Sequence, residues 1–245
     1  MKTENWYKSW FNSPYYHMLY RRRDGEEAAV FIDHFLKYLN PPKGHKILDL
    51  GCGKGRHSIY MNSKGYEVTG IDISEQNIKY ASAFENEKLR FAIHDMRDPF
   101  ADARFDLVVN LFTSFGYFES MEENLKVLRA TSANLKPKGS VLIDYLNAEL
   151  LKSTLVESET QMINGVSFDI ERSIDHGMIL KKIKVTDGPD VLRFEERVKA
   201  LDKQDFAGLL TQSGFEIVDV FGTYSLRRFI PENSPRLIII ARKFK

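Results

Sequence analysis

The stretch Ile47-Leu48-Asp49-Leu50-Gly51-Cys52-Gly53-Lys54-Gly55-Arg56-His57-Ser58 decides how this chain is read. An apolar strand runs directly into three alternating glycines, and a helix begins near Arg56. Glycine lacks a Cβ, so the backbone there can take positive φ and admit a ligand close to the main chain. The helix behind such a turn aims its first N–H groups at that ligand. A second strand, Tyr66-Glu-Val-Thr-Gly-Ile-Asp72, ends in an acid placed to accept hydrogen bonds from a ribose, with Ile73 beside it. Strand, glycine turn, helix, strand and acid together predict a nucleoside-binding βαβ unit.

The glycine spacing narrows the nucleoside. A dinucleotide site uses G-x-G-x-x-G, whose third glycine permits close helix packing beside a pyrophosphate. Arg56 stands at that third position, which conflicts with an NAD-linked reductase. The pattern present, Asp49-x-Gly51-x-Gly53-x-Gly55, resembles motif I of the class I S-adenosylmethionine-dependent methyltransferases. That resemblance implies an α/β fold, a Rossmann-like seven-stranded sheet that is mostly parallel with its last strand antiparallel. It implies S-adenosyl-L-methionine as cofactor, with Asp49 facing its methionine end, Gly51, Cys52, Gly53 and Gly55 forming the loop, and Asp72 and Ile73 at the ribose.

Composition sets bounds. The 245 residues are 43% hydrophobic and 28% charged, enough for one compact α/β domain with an elaboration. With 35 basic and 34 acidic residues the net charge is +1, so no strong field draws the protein to nucleic acid or an anionic membrane. The single cysteine, Cys52, sits in the glycine loop and offers neither a disulfide framework nor a cysteine metal site. The six histidines show no ligand spacing, so no metal is expected. The first residues lack an apolar signal core and no run reaches membrane-spanning length, which makes cytoplasmic the expected location.

Outward from the motif the chain divides into four segments. Residues 1–40 hold an aromatic helical lid, dense in Trp6, Trp10, Tyr15, Tyr16 and Tyr20, and a first helix over Glu26–Leu39, with Asp24 and Glu27 as a capping box. Residues 41–150 alternate strand and helix, the mark of a parallel sheet covered on both faces, and form the cofactor-binding core. Predicted strands are Lys46–Leu50, Glu67–Ile71, Leu89–Ile93, Phe105–Asn110 and Ser140–Leu146. Predicted helices are Arg56–Lys64, Ser74–Asn86 and Glu122–Leu135, with Lys136–Gly139 a turn. Residues 151–201 read as an antiparallel β insertion, because period-two alternation is broken by turn signals at Asn164-Gly165, His176-Gly177 and Asp187-Gly188-Pro189. It is expected to cover the substrate or to pair two subunits in a homodimer. Residues 202–245 complete the core with helix Asp202–Ser213 and strands Phe215–Phe221 and Arg236–Arg242.

Further site residues lie at the next strand ends. His94-Asp-Met-Arg-Asp98 follows the third strand, and it reads either as a surface turn with a capping acid or, by the resemblance, as Asp95 taking the adenine amino group with Met96 against the ring. The fourth strand runs into Asn110-Leu-Phe-Thr-Ser-Phe-Gly-Tyr-Phe118, and ligands sit at the carboxyl ends of parallel strands. Asn110 and Leu111 are assigned to the methionine moiety. Phe112, Ser114, Phe115 and Tyr117 are assigned to the acceptor pocket, although an aromatic run is also ordinary core. Nucleic-acid amino-methyltransferases carry Asn/Asp/Ser-Pro-Pro-Tyr/Phe here; this chain has Asn110-Leu-Phe-Thr, and Ser13-Pro-Tyr-Tyr16 precedes the first strand and opens the aromatic helix.

The closer similarity is to small-molecule members, the sugar N,N-dimethyltransferases and glycine N-methyltransferase-like enzymes. It rests on Asp95-Met-Arg97, on Phe112-x-Ser114-x-Gly116-Tyr117 and on an antiparallel insertion of this place and length. It implies an N-terminal segment that closes over the cofactor, with Tyr15 in the substrate pocket, Tyr20 on the cofactor and Arg23 at the methionine carboxylate. Tyr16 and His17 are the candidate catalytic groups. The expected activity is methyl transfer to a small-molecule acceptor such as an amine; the alternative is a cofactor-binding sensor that transfers nothing.

Overall fold

The computed structural model describes residues 6–20 and 25–244. Arg23 and the Asp24 cap lie outside the described residues. The first elements are helices α1 (Trp6–Phe11) and α2 (Pro14–Leu19), split where Ser13 accepts the Tyr15 N–H as N-cap and Pro14 takes the first turn, followed by α3 (Gly25–Leu39). The core continues β1 (Lys46–Leu50), α4 (Arg56–Ser63), β2 (Glu67–Asp72), α5 (Glu75–Ala81), β3 (Leu89–Ile93), β4 (Phe105–Asn110), α6 (Met121–Asn134) and β5 (Leu135–Leu146). After α7 (Ala148–Thr154) come β6 (Ser158–Ile163), β7 (Val166–Asp175), β8 (Met178–Asp187) and β9 (Asp190–Lys199). The chain closes with α8 (Lys203–Gln212), β10 (Phe215–Phe221) and β11 (Arg236–Lys243).

Seven strands form one sheet in the order β10-β11-β5-β4-β1-β2-β3. β1 to β5 pair in parallel, while β11 runs antiparallel to both of its neighbours. β1, β2 and β4 are apolar and almost wholly buried, as strands covered on both faces must be. One face packs Phe31, Ile32 and Phe35 of α3, Met61 of α4 and Ile78 of α5. The other packs Leu125 and Leu128 of α6 with Phe206 and Leu210 of α8. The expected seven-stranded sheet is therefore present.

The insertion is a separate four-stranded antiparallel sheet, β6-β7-β8-β9, turned at the three predicted positions. Its apolar face carries Val166, Phe168, Ile170, Ile183 and Val185, and Trp10 of α1 lies fully buried on it. A buried tryptophan removes about 150–250 Å² from water, roughly 4–6 kcal/mol of transfer free energy at about 25 cal/mol per Å², so this contact anchors the N-terminal helices. Three details differ from the sequence reading. The helix after β2 stops at Ala81 and ends in a 3₁₀ turn over Ser82–Phe84, followed by a bridge between Asn86 and Leu89. Lys136–Gly139 lies within β5 as an irregularity, with Lys138 at φ 64°. Helix α7 was not foreseen; Asn147 caps it by accepting from the Glu149 and Leu150 N–H groups.

Candidate functional site: a cavity at the strand ends

A cavity of about 320 Å³ opens at the carboxyl ends of β1, β2 and β4. Its floor is the glycine loop. Gly51 has φ 70° and Gly53 has φ 56°, the left-handed region that favours glycine. A Cβ on Gly51 would come within 2.8 Å of the Ser114 Cβ, so floor and wall touch there; a Cβ on Gly53 would meet nothing within 4 Å. The Gly51 and Cys52 N–H groups donate to Ile71 O at 2.8 and 3.0 Å, and the Gly53 N–H donates to Asp72 Oδ2 at 2.9 Å. Gly55 begins α4 beneath this loop.

Asp72 also accepts the Ser74 N–H through Oδ1 at 2.7 Å. Burial raises its carboxyl above the ordinary range, and the two backbone bonds work against that rise. Each oxygen still has acceptor capacity for a hydroxyl. Asp49 lies under the loop rather than on the wall, with Ser58 Oγ donating to it at 2.6 Å. Burial pushes Asp49 up to about 7, with the Asp72 charge adding and the Ser58 bond and Arg56 opposing.

Ile73, Asp95, Met96, Leu111, Phe112, Ser114 and Tyr117 form the walls. Burial works upward on Asp95, but the hydrogen bonds and charge of Arg97, 2.6 Å away, outweigh it and hold the carboxyl below its usual range. Arg97 also reaches Glu123 at 2.8 Å and lies over the Phe118 ring. At the end of β4, Asn110 Nδ2 donates to Leu50 O at 3.1 Å, while its Oδ1 is buried with no hydrogen-bond partner. His57, on the wall beside Phe112, has a buried Nε2 in the same condition, and burial keeps its imidazole neutral.

The roof comes from the N-terminal helices. Tyr16, His17 and Tyr20 line the cavity together with Tyr7 and Phe11. Trp10 Nε1 donates to Glu196 at 2.6 Å, Tyr20 OH donates to the same carboxylate at 2.7 Å, and Lys181 Nζ donates to Tyr20 OH at 2.6 Å. This cluster ties the roof to β8 and β9, while Asn12 bonds Ser74 and ties it to the start of α5. His17 is lowered to about 4, by burial first and by the Lys54 charge second, against a hydrogen bond with Asn77.

Two predicted pocket residues do not face the cavity. Tyr15, next to Tyr16 on a six-residue helix, points the other way and donates to Asp187 at 2.9 Å. Phe115, midway along the aromatic run, is directed into the core against Phe206. Lys54, Arg56, His57 and Asn77 line the cavity although none of them is among the predicted site residues. The first three stand inside the glycine motif, so their place at the start of α4 was available as a signal; Asn77 depends on how α5 turns. Among the described residues no three His, Cys, Asp or Glu side chains are grouped to hold a metal, and no helix is long and apolar enough to cross a membrane.

Open space over Gly53 and spare acceptors on Asp72 suit the hydroxyl groups of a nucleoside. A strand order of this kind with such a cavity defines the methyltransferase class of Rossmann-like proteins. A methyltransferase-domain family model matches residues 20–220. The chain is 29% identical over 216 residues to a glycine/sarcosine/dimethylglycine N-methyltransferase of Actinopolyspora halophila, covering 84% of this chain and 36% of that protein. Its fold is similar to that of an S-adenosylmethionine-dependent methyltransferase from Clostridium acetobutylicum, with a TM-score of 0.80 and 21% identity over 94% of this chain and 97% of that one. It is also similar to S-adenosylmethionine-bound CalS10, an amino pentose methyltransferase from Micromonospora echinaspora, with a TM-score of 0.71 and 18% identity over 94% and 97% of the two chains. The chain belongs to the methyltransferase-domain family and is an S-adenosylmethionine-dependent methyltransferase.

Proposed function

We propose that this enzyme methylates the nitrogen of a small amine held under the aromatic roof. When bound, the cofactor supplies a methyl group on a positively charged sulfur. The residues that would hold it are the Gly51–Gly53 backbone, Asp72 with Ile73, Asp95 with Met96, and Leu111, all of which line the cavity. Asp49 and Asn110 lie behind that surface and support the loop and the end of β4.

The observation that carries the reading is the roof. Phe11 packs against Tyr16 at 5.0 Å and Tyr117 at 5.5 Å, and Tyr16 against Tyr20 at 5.0 Å. In amine methylation one positive charge passes from sulfur to nitrogen, and aromatic faces stabilise a cation at either place without pairing tightly to it. The relative that is 29% identical in sequence is named for glycine, sarcosine and dimethylglycine, and the structural neighbour for an amino pentose, all of them amines.

His17 fits an orienting role. With a value of about 4 it is neutral at physiological pH, and its base strength lies roughly six units below that of an alkylamine. A base that weak does not deprotonate an alkylammonium, so the amine enters already neutral. His17 then accepts a hydrogen bond from the amine and Tyr16 closes the other side, which aligns the nitrogen and excludes water. Transfer of labelled methyl to glycine, an amino sugar, a phenol and a carboxylic acid tests this: amines alone should be labelled. The rising limb of kcat/KM with pH should follow the pKa of each amine, and His17→Ala should lower kcat by at least about tenfold without moving that limb. Labelling of the phenol or carboxylate in place of the amines, or a limb near 6.5 independent of the amine, would overturn the proposal.

A further inference from the structure

Phe112 and Thr113, where β4 passes into the cavity wall, have φ of 57° and 61°. Bulky and β-branched side chains disfavour this left-handed region, so two such residues in succession persist only where their surroundings hold them. The holding group is a carboxylate that no cavity-lining role explains. Asp144 on β5 is fully buried and accepts the Phe112 N–H at 2.9 Å, while its main-chain oxygen accepts the Thr113 N–H at 2.9 Å. Arg236 on β11 donates Nε to Asp144 at 2.7 Å and Nη2 to Thr113 Oγ1 at 2.9 Å. Tyr224 donates its hydroxyl to the same carboxylate at 3.2 Å and stacks its ring on Phe112, with centroids 5.6 Å apart. On the cavity side, the Arg56 guanidinium lies 4.3 Å from the Phe112 ring and Ser114 Oγ donates to Gly51 O at 3.4 Å.

We infer that Asp144 is a positioning residue: with Arg236 it locks the left-handed Phe112–Thr113 turn and so sets the gap between the wall and the glycine loop into which the cofactor fits. This rests on the cavity being the cofactor site. Both strands that supply the lock lie to one side of the cavity and contribute nothing to its lining, so the turn is held from behind while its front face stays available to ligand.

Calorimetry with S-adenosylhomocysteine on the full chain tests the lock. Asp144→Asn should weaken binding at least tenfold. Glycine adopts the left-handed conformation unaided, so in a background carrying both Phe112→Gly and Thr113→Gly the same Asp144→Asn change should weaken binding less than threefold. A merely structural ion pair would instead lower the melting temperature in both backgrounds and leave the affinity of the folded protein unchanged, or reduce affinity equally in both; either result overturns the inference. If Asp144→Asn does not fold, Arg236→Lys, which keeps the buried cation but loses the fork, is compared across the same two backgrounds and judged by the same ratio. Wild-type protein that binds no S-adenosylhomocysteine overturns the cavity assignment and the inference with it, whereas wild-type binding with no loss in the variant overturns the inference alone.

Discussion

The carboxylate of Asp72 holds the glycine loop and faces the cavity at once, because Oδ2 uses one acceptor position on the Gly53 N–H and Oδ1 one on the Ser74 N–H. Asp72→Ala removes both anchors and the charged acceptor offered to the ribose. A hydrogen bond to a charged group contributes roughly 1.5–3 kcal/mol, so affinity for S-adenosylhomocysteine should fall at least about tenfold while the far-ultraviolet circular dichroism stays that of a folded α/β protein. Unchanged affinity by calorimetry would take Asp72 out of the site. The place of Asp72 at the cavity was readable from the end of the second strand, whereas Asp49, read as facing the methionine end, lies buried under the loop. Asp144 was not readable: it sits in an apolar run, and only the pairing of β5 with β11 brings Arg236 against it.

At the scale of elements, α1 and α2 belong with the insertion sheet as much as with the core. Glu196 on β9 accepts from Trp10 and Tyr20 and lies 3.7 Å from Lys181. Glu196→Ala leaves the Trp10 indole N–H and the Lys181 ammonium without that carboxylate, at about 1–3 kcal/mol for a stranded buried donor. We expect a lower melting temperature, a red shift in tryptophan emission as Trp10 loosens, and methyl transfer reduced more than cofactor affinity, since the roof is what the cluster supports. Emission unchanged from wild type would mean that the helices are seated without Glu196. The strands and hairpin turns of this region were legible from alternation and from the Asn-Gly, His-Gly and Asp-Gly signals. That its apolar face receives Trp10 was not, because the two segments are far apart in sequence and nothing local records their contact.

For the whole molecule, the core sheet and the insertion sheet are separate sheets that the N-terminal helices bridge over one cavity. Replacing residues 158–197 with a short linker removes the platform under Trp10 while leaving all seven strands of the main sheet in place. The truncated protein should fold, bind S-adenosylhomocysteine weakly through the glycine loop and Asp72, and transfer no methyl group. Transfer retained at wild-type rate, measured with the amine labelled best by the intact enzyme, would show that the roof is not needed to align the acceptor.

By itself the sequence determined the parallel core, the glycine loop with its acids, and the existence of an antiparallel insertion, because each depends on short-range physics: strand and helix periodicity, glycine at positive φ and turn residues between alternating runs. Tertiary structure alone decided which aromatic residues face the ligand. Tyr16 and Tyr15 are neighbours of the same type, yet one lines the cavity and the other bonds Asp187; Phe112 faces the cavity while Phe115 fills the core. Composition cannot separate such pairs, since an aromatic ring satisfies a pocket wall and a hydrophobic core equally well. The choice is made by the direction in which packing against distant strands turns each side chain.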